Sequence, residues 1–239
     1  MSPTRIRAVF RKELREYRRS RQILVTMTVV PLIFIIQPVI QVFTLSAADA
    51  SSLLNREPLL YMLAIPAIVP AAIAAYSITG ERQQGTLEPV LTTPIRREEL
   101  LLGKALAVLV PTLVVSYAVF GVFLAAVEIF VQPAVASAVL RGPELLAQVI
   151  FTPLVAAWSI WIGIAISARS SDVRVSTQLG TLASLPTVAV TVLISIGTIQ
   201  PTFGLALRLG LVLLALDVTG WRYVRPLFDR ERLITGTKS

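Results

Sequence analysis

Long apolar runs alternate with short charged segments along this chain. An α-helix rises 1.5 Å per residue, so about 20 apolar residues are needed to cross the roughly 30 Å of bilayer hydrocarbon. Uncharged runs of that length occupy residues 23–48, 58–80, 105–127 and 145–168. A further uncharged run, 175–207, is too long for one crossing and contains Gly197, Pro201 and Gly204, which predict a turn there. It divides into a fifth span over 175–196 and a sixth over about 203–221, the last enclosing Arg208 and Asp217. The pattern predicts an all-α integral membrane protein of six transmembrane helices, organised as a single transmembrane domain over 1–239. In the N-terminal segment 1–22, Ile6, Val9, Phe10, Leu14 and Tyr17 fall three or four apart on one stripe, with arginines elsewhere around the helix. That predicts an amphipathic helix in the membrane interface, with Phe10, Leu14 and Tyr17 on its apolar face.

One polar interruption is longer than a simple reconnection needs. Segment 81–104, ERQQGTLEPVLTTPIRREELLLGK, has 24 residues with four acidic and four basic side chains. Gly85 and Pro89 punctuate its first half, where Leu87, Val90 and Leu91 give a short helix an apolar face. Thr93-Pro94 then reads as a turn or helix start, in the latter case with Thr93 as cap and Pro94 at the first helical position. A short helix, a break and a second helix make a compact knob at one membrane surface.

Composition sharpens this picture. Hydrophobic residues make up 55% of the 239 and charged residues 15%, with a mean hydropathy of +0.75, a membrane composition. There is no cysteine and no histidine. That excludes a disulfide framework, the usual zinc and haem sites, and Cys-His or Ser-His-Asp nucleophiles, so no catalytic or metal-binding residue is assigned. The formal net charge of +8 is explained by topology and not by nucleic acid. Segments 1–22, 81–104, 169–174 and 221–239 hold 8, 4, 2 and 5 of the 22 basic residues, leaving Arg56, Arg141 and Arg208. Under the positive-inside rule the multi-pass chain lies in the inner (plasma) membrane with both termini cytoplasmic. A cleavable signal peptide is disfavoured despite the small residues Ala48 and Ala50, because the first apolar run is far longer than the 7 to 15 residues of a signal core.

The segment 81–104 also carries a resemblance. Glu81-Arg82, Gly85-Thr86-Leu87-Glu88, Thr93-Pro94 and Gly103-Lys104 stand in the order and spacing of the signature between the second and third spans of ABC-2 transporter membrane subunits. The basic N-terminal helix with Lys12-Glu13-Leu14, the stretch ARSSDVRVSTQLGTLASLP and the closing LFDRERLI extend the resemblance along the chain. It implies the membrane subunit of an ABC-2-type exporter, moving a drug, lipid, glycolipid or peptide. That subunit pairs with a second copy or a sister permease and sits on separate ATPase subunits, which hold the ATP and Mg²⁺. Segment 81–104 would be the coupling helix that docks on the ATPase. Glu81 and Arg82 would be polar anchors, Gly85 would permit close backbone approach beside Thr86, and Leu87 would be the apolar plug. Glu88, Thr93, Pro94, Arg96 and Arg97 would complete the contact. The chain itself lacks a P-loop: Gly103-Lys104 is followed by Ala105, and Glu98 stands where the first glycine belongs. No ATP hydrolysis is therefore expected on it.

Polar residues inside apolar runs are the other candidates. Gln37 and Gln41, one turn apart on the first span, either line a path or hydrogen-bond a neighbouring helix. Arg208 and Asp217 are nine residues apart on opposite faces, so they do not pair, and each snorkels to an interface. Trp158 and Trp161, three apart on the fourth span, read as dimer or bundle packing in preference to a substrate stack. Pro31, Pro38, Pro66, Pro70, Pro111, Pro153 and Pro186 put kinks in most spans. The competing readings are a divergent ABC-2 member serving regulation or assembly, an ATP-independent secondary transporter, which lacks here a matching pair of broken helices, and a membrane-embedded enzyme, which lacks a catalytic cluster.

Overall fold

The computed structural model describes residues 1–44, 58–86, 95–140, 142–200 and 202–228. Pro3–Tyr17 forms α1, with proline in its first turn, and Arg21–Phe43 forms α2, capped by the Ser20 hydroxyl accepting from the Ile23 amide. A 3₁₀ turn, Pro58–Leu63, leads into α3, Ala64–Gln83. Then come α4, Arg97–Phe130, and the short α5, Pro133–Val139. Next are α6, Gly142–Arg169, and α7, Val173–Ser195, capped by Asp172. Last is α8, Phe203–Val224, capped by Thr202 and followed by a 3₁₀ turn over Arg225–Phe228. No strand occurs among the described residues.

Among the described residues six segments are long and apolar enough to cross a membrane: Arg21–Phe43, Pro58–Gln83, Arg97–Phe130, Gly142–Arg169, Val173–Ser195 and Phe203–Phe228. The all-α, six-span architecture read from the pattern is the architecture found. The long fifth run divides where its glycine allows. The amide of Gly197, at φ 80°, bonds the Ile194 carbonyl and that of Thr198 bonds the Leu193 carbonyl, both at 3.0 Å, a Schellman ending that needs the left-handed conformation. The kink expected at Pro66 is not one: Pro66 sits in the first turn of α3, where a missing N–H costs no intrahelical bond.

The bundle is built around α3. Its apolar window is 78% buried, against 17% for α2, 28% for α7 and 6% for α8. Lipid is as apolar as leucine, so close backbone approach, not hydrophobicity, must hold these helices together. Glycines supply it. A Cβ at Gly163 of α6 would lie 2.6 Å from the Ala71 carbonyl oxygen of α3, and one at Gly180 of α7 would lie 2.8 Å from Ala75 Cβ. Buried hydroxyls lock the same contacts. Ser176 donates to the Ala75 carbonyl at 2.5 Å, and the Ser167 hydroxyl accepts from the Ile78 and Thr79 amides at 3.0 Å each. The outward faces of α2 and α8 stay apolar and exposed, as lipid-facing helices do.

Candidate functional site: a buried charge cluster at the basic end

α1, the last turn of α3 and the first turns of α4 meet at one end of the bundle. The amphipathic stripe expected on α1 is present, with Val9 and Tyr17 buried and Ile6, Phe10 and Leu14 partly so. Between Val9 and Tyr17 the stripe also contains Glu13, which is 1% exposed. It faces the bundle, because α1 packs on the start of α4. Gly103 makes that approach possible: a Cβ there would lie 2.6 Å from Val9 Cβ.

The neighbouring Lys104 is fully buried. Its ammonium lies 2.8 Å from Glu13 Oε1 and 2.9 Å from Glu81 Oε2, and donates to the Ser77 carbonyl at 3.0 Å. Two of its N–H groups thus meet hydrogen-bond acceptors, on Glu13 and Ser77, while Glu81 Oε2 is held by charge alone. Lys12 pairs with the other Glu81 oxygen and, at 3.1 Å, with Glu16 Oε1. Two buried carboxylates are therefore balanced by two ammonium groups, the arrangement that makes buried charge tolerable. Burial pushes the Glu13 carboxyl above the ordinary carboxylate range against the pull of Lys104. Burial draws the Lys12 ammonium down, but Glu13 and Glu81 outweigh it and hold its pKa above the usual lysine value. Burial, together with the nearby Glu13 and Glu81 charges, raises the Tyr17 phenol well above its ordinary pKa, keeping it neutral. Glu13, Glu16 and Glu81 bring carboxylate oxygens close enough for a metal ion, but the two lysine ammoniums already occupy their approach.

The other sequence-singled residues distribute around this cluster. The Arg82 guanidinium donates to the Ser170 carbonyl at 2.5 Å and the Ala168 carbonyl at 3.4 Å, tying the end of α3 to the α6–α7 turn. Gly85 has φ 67° and is the left-handed residue of a second Schellman ending: its amide bonds the Arg82 carbonyl at 3.2 Å, and the Thr86 amide bonds the Glu81 carbonyl at 3.0 Å. Among the described residues nothing lies within 4 Å of a Cβ at Gly85, so what they ask of glycine there is its conformation. Gly85→Ala is expected to cost about 1 kcal/mol and Gly85→Asn less, read as thermal unfolding in detergent. Equal stability of both variants would remove the conformational account.

Arg96 and Arg97 are exposed at the start of α4. The Arg96 amide donates to Glu99 Oε2 at 3.1 Å, while Glu99 Oε1 accepts from the Ser2 amide at 2.7 Å, so Glu99 holds the start of α1 against α4. Glu98 pairs with Arg225, bringing the end of α8 to the same place. Leu87, Glu88, Thr93 and Pro94 lie outside the described residues, but α4 starts at Arg97 with Arg96 in the N-cap position, so the helix does not run on from a start at Pro94. Gln37 and Gln41 bond to each other, Nε2 to Oε1 at 2.9 Å, beside a groove of about 720 Å³ that Tyr61 and Ile196 also line.

With this geometry in place, the comparison with known families is specific: a model described as ABC-2 family transporter protein matches residues 7–212. The chain belongs to the ABC-2 transporter family. No curated protein matches it. The matched region runs from within α1 into α8 and contains all four charges of the buried cluster. This ABC-2 chain is thus a multi-pass membrane protein carrying a permease-type transporter domain. Sequence reasoning singled out Lys12-Glu13 and Gly103-Lys104 as motif letters but missed their meeting with Glu81. The available signal was Glu13 itself, an acid on the buried face of an amphipathic stripe, spaced four from Val9 and from Tyr17.

Proposed function

We propose that this ABC-2 chain is the membrane subunit of an exporter whose power stroke comes from a separate ATPase docking at the basic end, on the cytoplasmic side. The ATPase holds ATP and Mg²⁺, and two membrane subunits, identical or sister chains, enclose the path. The cargo class is that of the family: a drug, lipid, glycolipid or peptide. The observation that carries this reading is the double attachment of the signature segment. Its first part, at Glu81, and its last, at Lys104, join through one buried ion pair, and α1 closes over both. A force applied between these anchors, at Leu87 or Glu88, would reach α3 and α4 together, and α3 is the helix on which α6 and α7 pack. Differential contact of the segment with the open and closed ATPase would then bias the bundle between two arrangements.

Co-purification from the native membrane in mild detergent, followed by mass spectrometry, is expected to return a P-loop ATPase in near-stoichiometric amount. In the reconstituted complex, Leu87→Asp should lower transport-linked ATP hydrolysis at least about tenfold, as expected when a buried interface plug is replaced by a charge. The variant should still insert and purify as wild type. A reporter fused after Ser239 should be active only in the cytoplasm. A stable eluate without an ATPase, or hydrolysis indifferent to Leu87→Asp, would overturn the coupling role.

A further inference from the structure

Helices α7 and α8 follow one another in the chain but have little direct contact; each packs separately on α6. The cleft they leave contains two cavities that share Trp158. The cavity toward the basic end, about 530 Å³, has Arg169, Ser170 and Tyr223 at its mouth and Trp158, Ile162 and Leu179 deeper in. The second, about 390 Å³, continues from Trp158 along an apolar wall that includes Phe151, Val190 and Leu213.

The mouth holds a positive charge in a fixed position. The Arg169 guanidinium donates to the Tyr223 hydroxyl at 2.7 Å and lies 5.1 Å from the centroid of its ring. Among the described residues no carboxylate lies within ion-pair distance of Arg169; the same holds for Arg174 and Arg222 at this end, and what sets Arg169 apart is its seat on Tyr223. From Arg169 to Trp158 is eleven residues of helix, about 16 Å, close to the hydrocarbon depth of one leaflet. A cationic, hydrogen-bonding mouth at the membrane surface leading to an apolar slot of leaflet depth matches an amphiphile with a phosphate at one end and a chain at the other.

We propose that this cleft binds one anionic phospholipid of the surrounding bilayer, with its phosphate on Arg169 and one acyl chain lying along α6 to Trp158. The guanidinium fork suits phosphate oxygens, and its seat on Tyr223 orients it before the lipid arrives. The site does not depend on ATPase coupling, because it is formed within a single chain.

The chain's own tryptophans report on this site. Of the three, Trp158 and Trp161 line the cavity and Trp221 stacks edge-on against Trp161 with centroids 5.6 Å apart. The full-length protein in detergent micelles would be titrated with phosphatidylglycerol brominated on its acyl chains, following tryptophan quenching. Saturable quenching at a low lipid fraction is expected. Arg169→Gln should require about tenfold more lipid, Arg169→Lys less of an increase, and Arg208→Gln at the far end no change. Inorganic phosphate should fail to displace the brominated lipid, since most of the site is chain-binding. If Arg169→Gln does not purify as a folded protein, Ala165→Phe, which fills the cavity and keeps the charge, should abolish the saturable component. Quenching that rises without saturation, or that is unchanged in both variants, would mean ordinary boundary lipid and overturn the proposal. A wild-type protein whose tryptophans are not quenched at all would do the same, as when a second copy covers the cleft.

Discussion

Lys104→Met is expected to be the most damaging single substitution at the basic end, lowering stability by about 3 to 5 kcal/mol. It leaves Glu13 and Glu81 buried against one another with only Lys12 to balance them. The measurement is thermal unfolding of the purified protein in detergent, followed by size exclusion. A second substitution gives the diagnosis. Glu13→Gln on the Lys104→Met background removes one uncompensated carboxylate and should restore a substantial part of the loss, although Glu13→Gln alone is destabilising. Additive losses in the double variant would show that the four charges do not act as a unit. Arginine is not a conservative replacement for Lys104: its planar, delocalised fork cannot place one compact charged nitrogen among Glu13, Glu81 and the Ser77 carbonyl.

Gly163→Val should be comparably severe for a different reason. A Cβ at Gly163 would meet the Ala71 carbonyl oxygen at 2.6 Å and Ala74 Cβ at 2.7 Å, so α6 must separate from the central α3. Overpacking of this kind costs roughly 1 to 3 kcal/mol, and more when the obstacle is backbone that cannot rotate away. Gly121→Val in α4 is the control. Among the described residues nothing lies within 4 Å of its Cβ, and the change should fall within about 0.5 kcal/mol of wild type. If Gly163→Val melts with Gly121→Val, the close approach of α3 and α6 is not what holds the centre of the bundle.

The parts of this fold that were legible in the sequence are those set by local chemistry. A bilayer demands about 20 apolar residues per crossing, so the six spans could be counted, and Gly197 marked the break in the long fifth run because only a left-handed residue closes that helix end. The arrangement of the spans was not legible. Apolar residues dominate α2, α3 and α8 alike, so hydropathy cannot tell the buried α3 from the lipid-exposed α8; what separates them is where small residues let backbones meet, as at Gly163 and Gly180. The site was half legible. Glu81, Gly85 and Lys104 stood out as motif letters, yet Glu81 and Lys104 meet each other and α1 across long stretches of chain, and Glu81, read as an anchor for a partner protein, is turned inward onto two lysines. Trp161 likewise looked like packing without revealing that Trp221 is what it packs on.

The composition of the cluster has a consequence for how the chain is made. Glu13 and Lys12 leave the ribosome first, Glu81 follows after two hydrophobic segments, and Lys104 emerges only as the third begins. Until then the nascent chain has more acid than base at this point, and α1 has nothing to close over, because Gly103 and the start of α4 do not yet exist. Arrival of Lys104 completes the charge balance and the binding surface for α1 in the same step. The surface that α1 covers is therefore complete only once Lys104 and the start of α4 have been made, and both precede α6 in the order of synthesis.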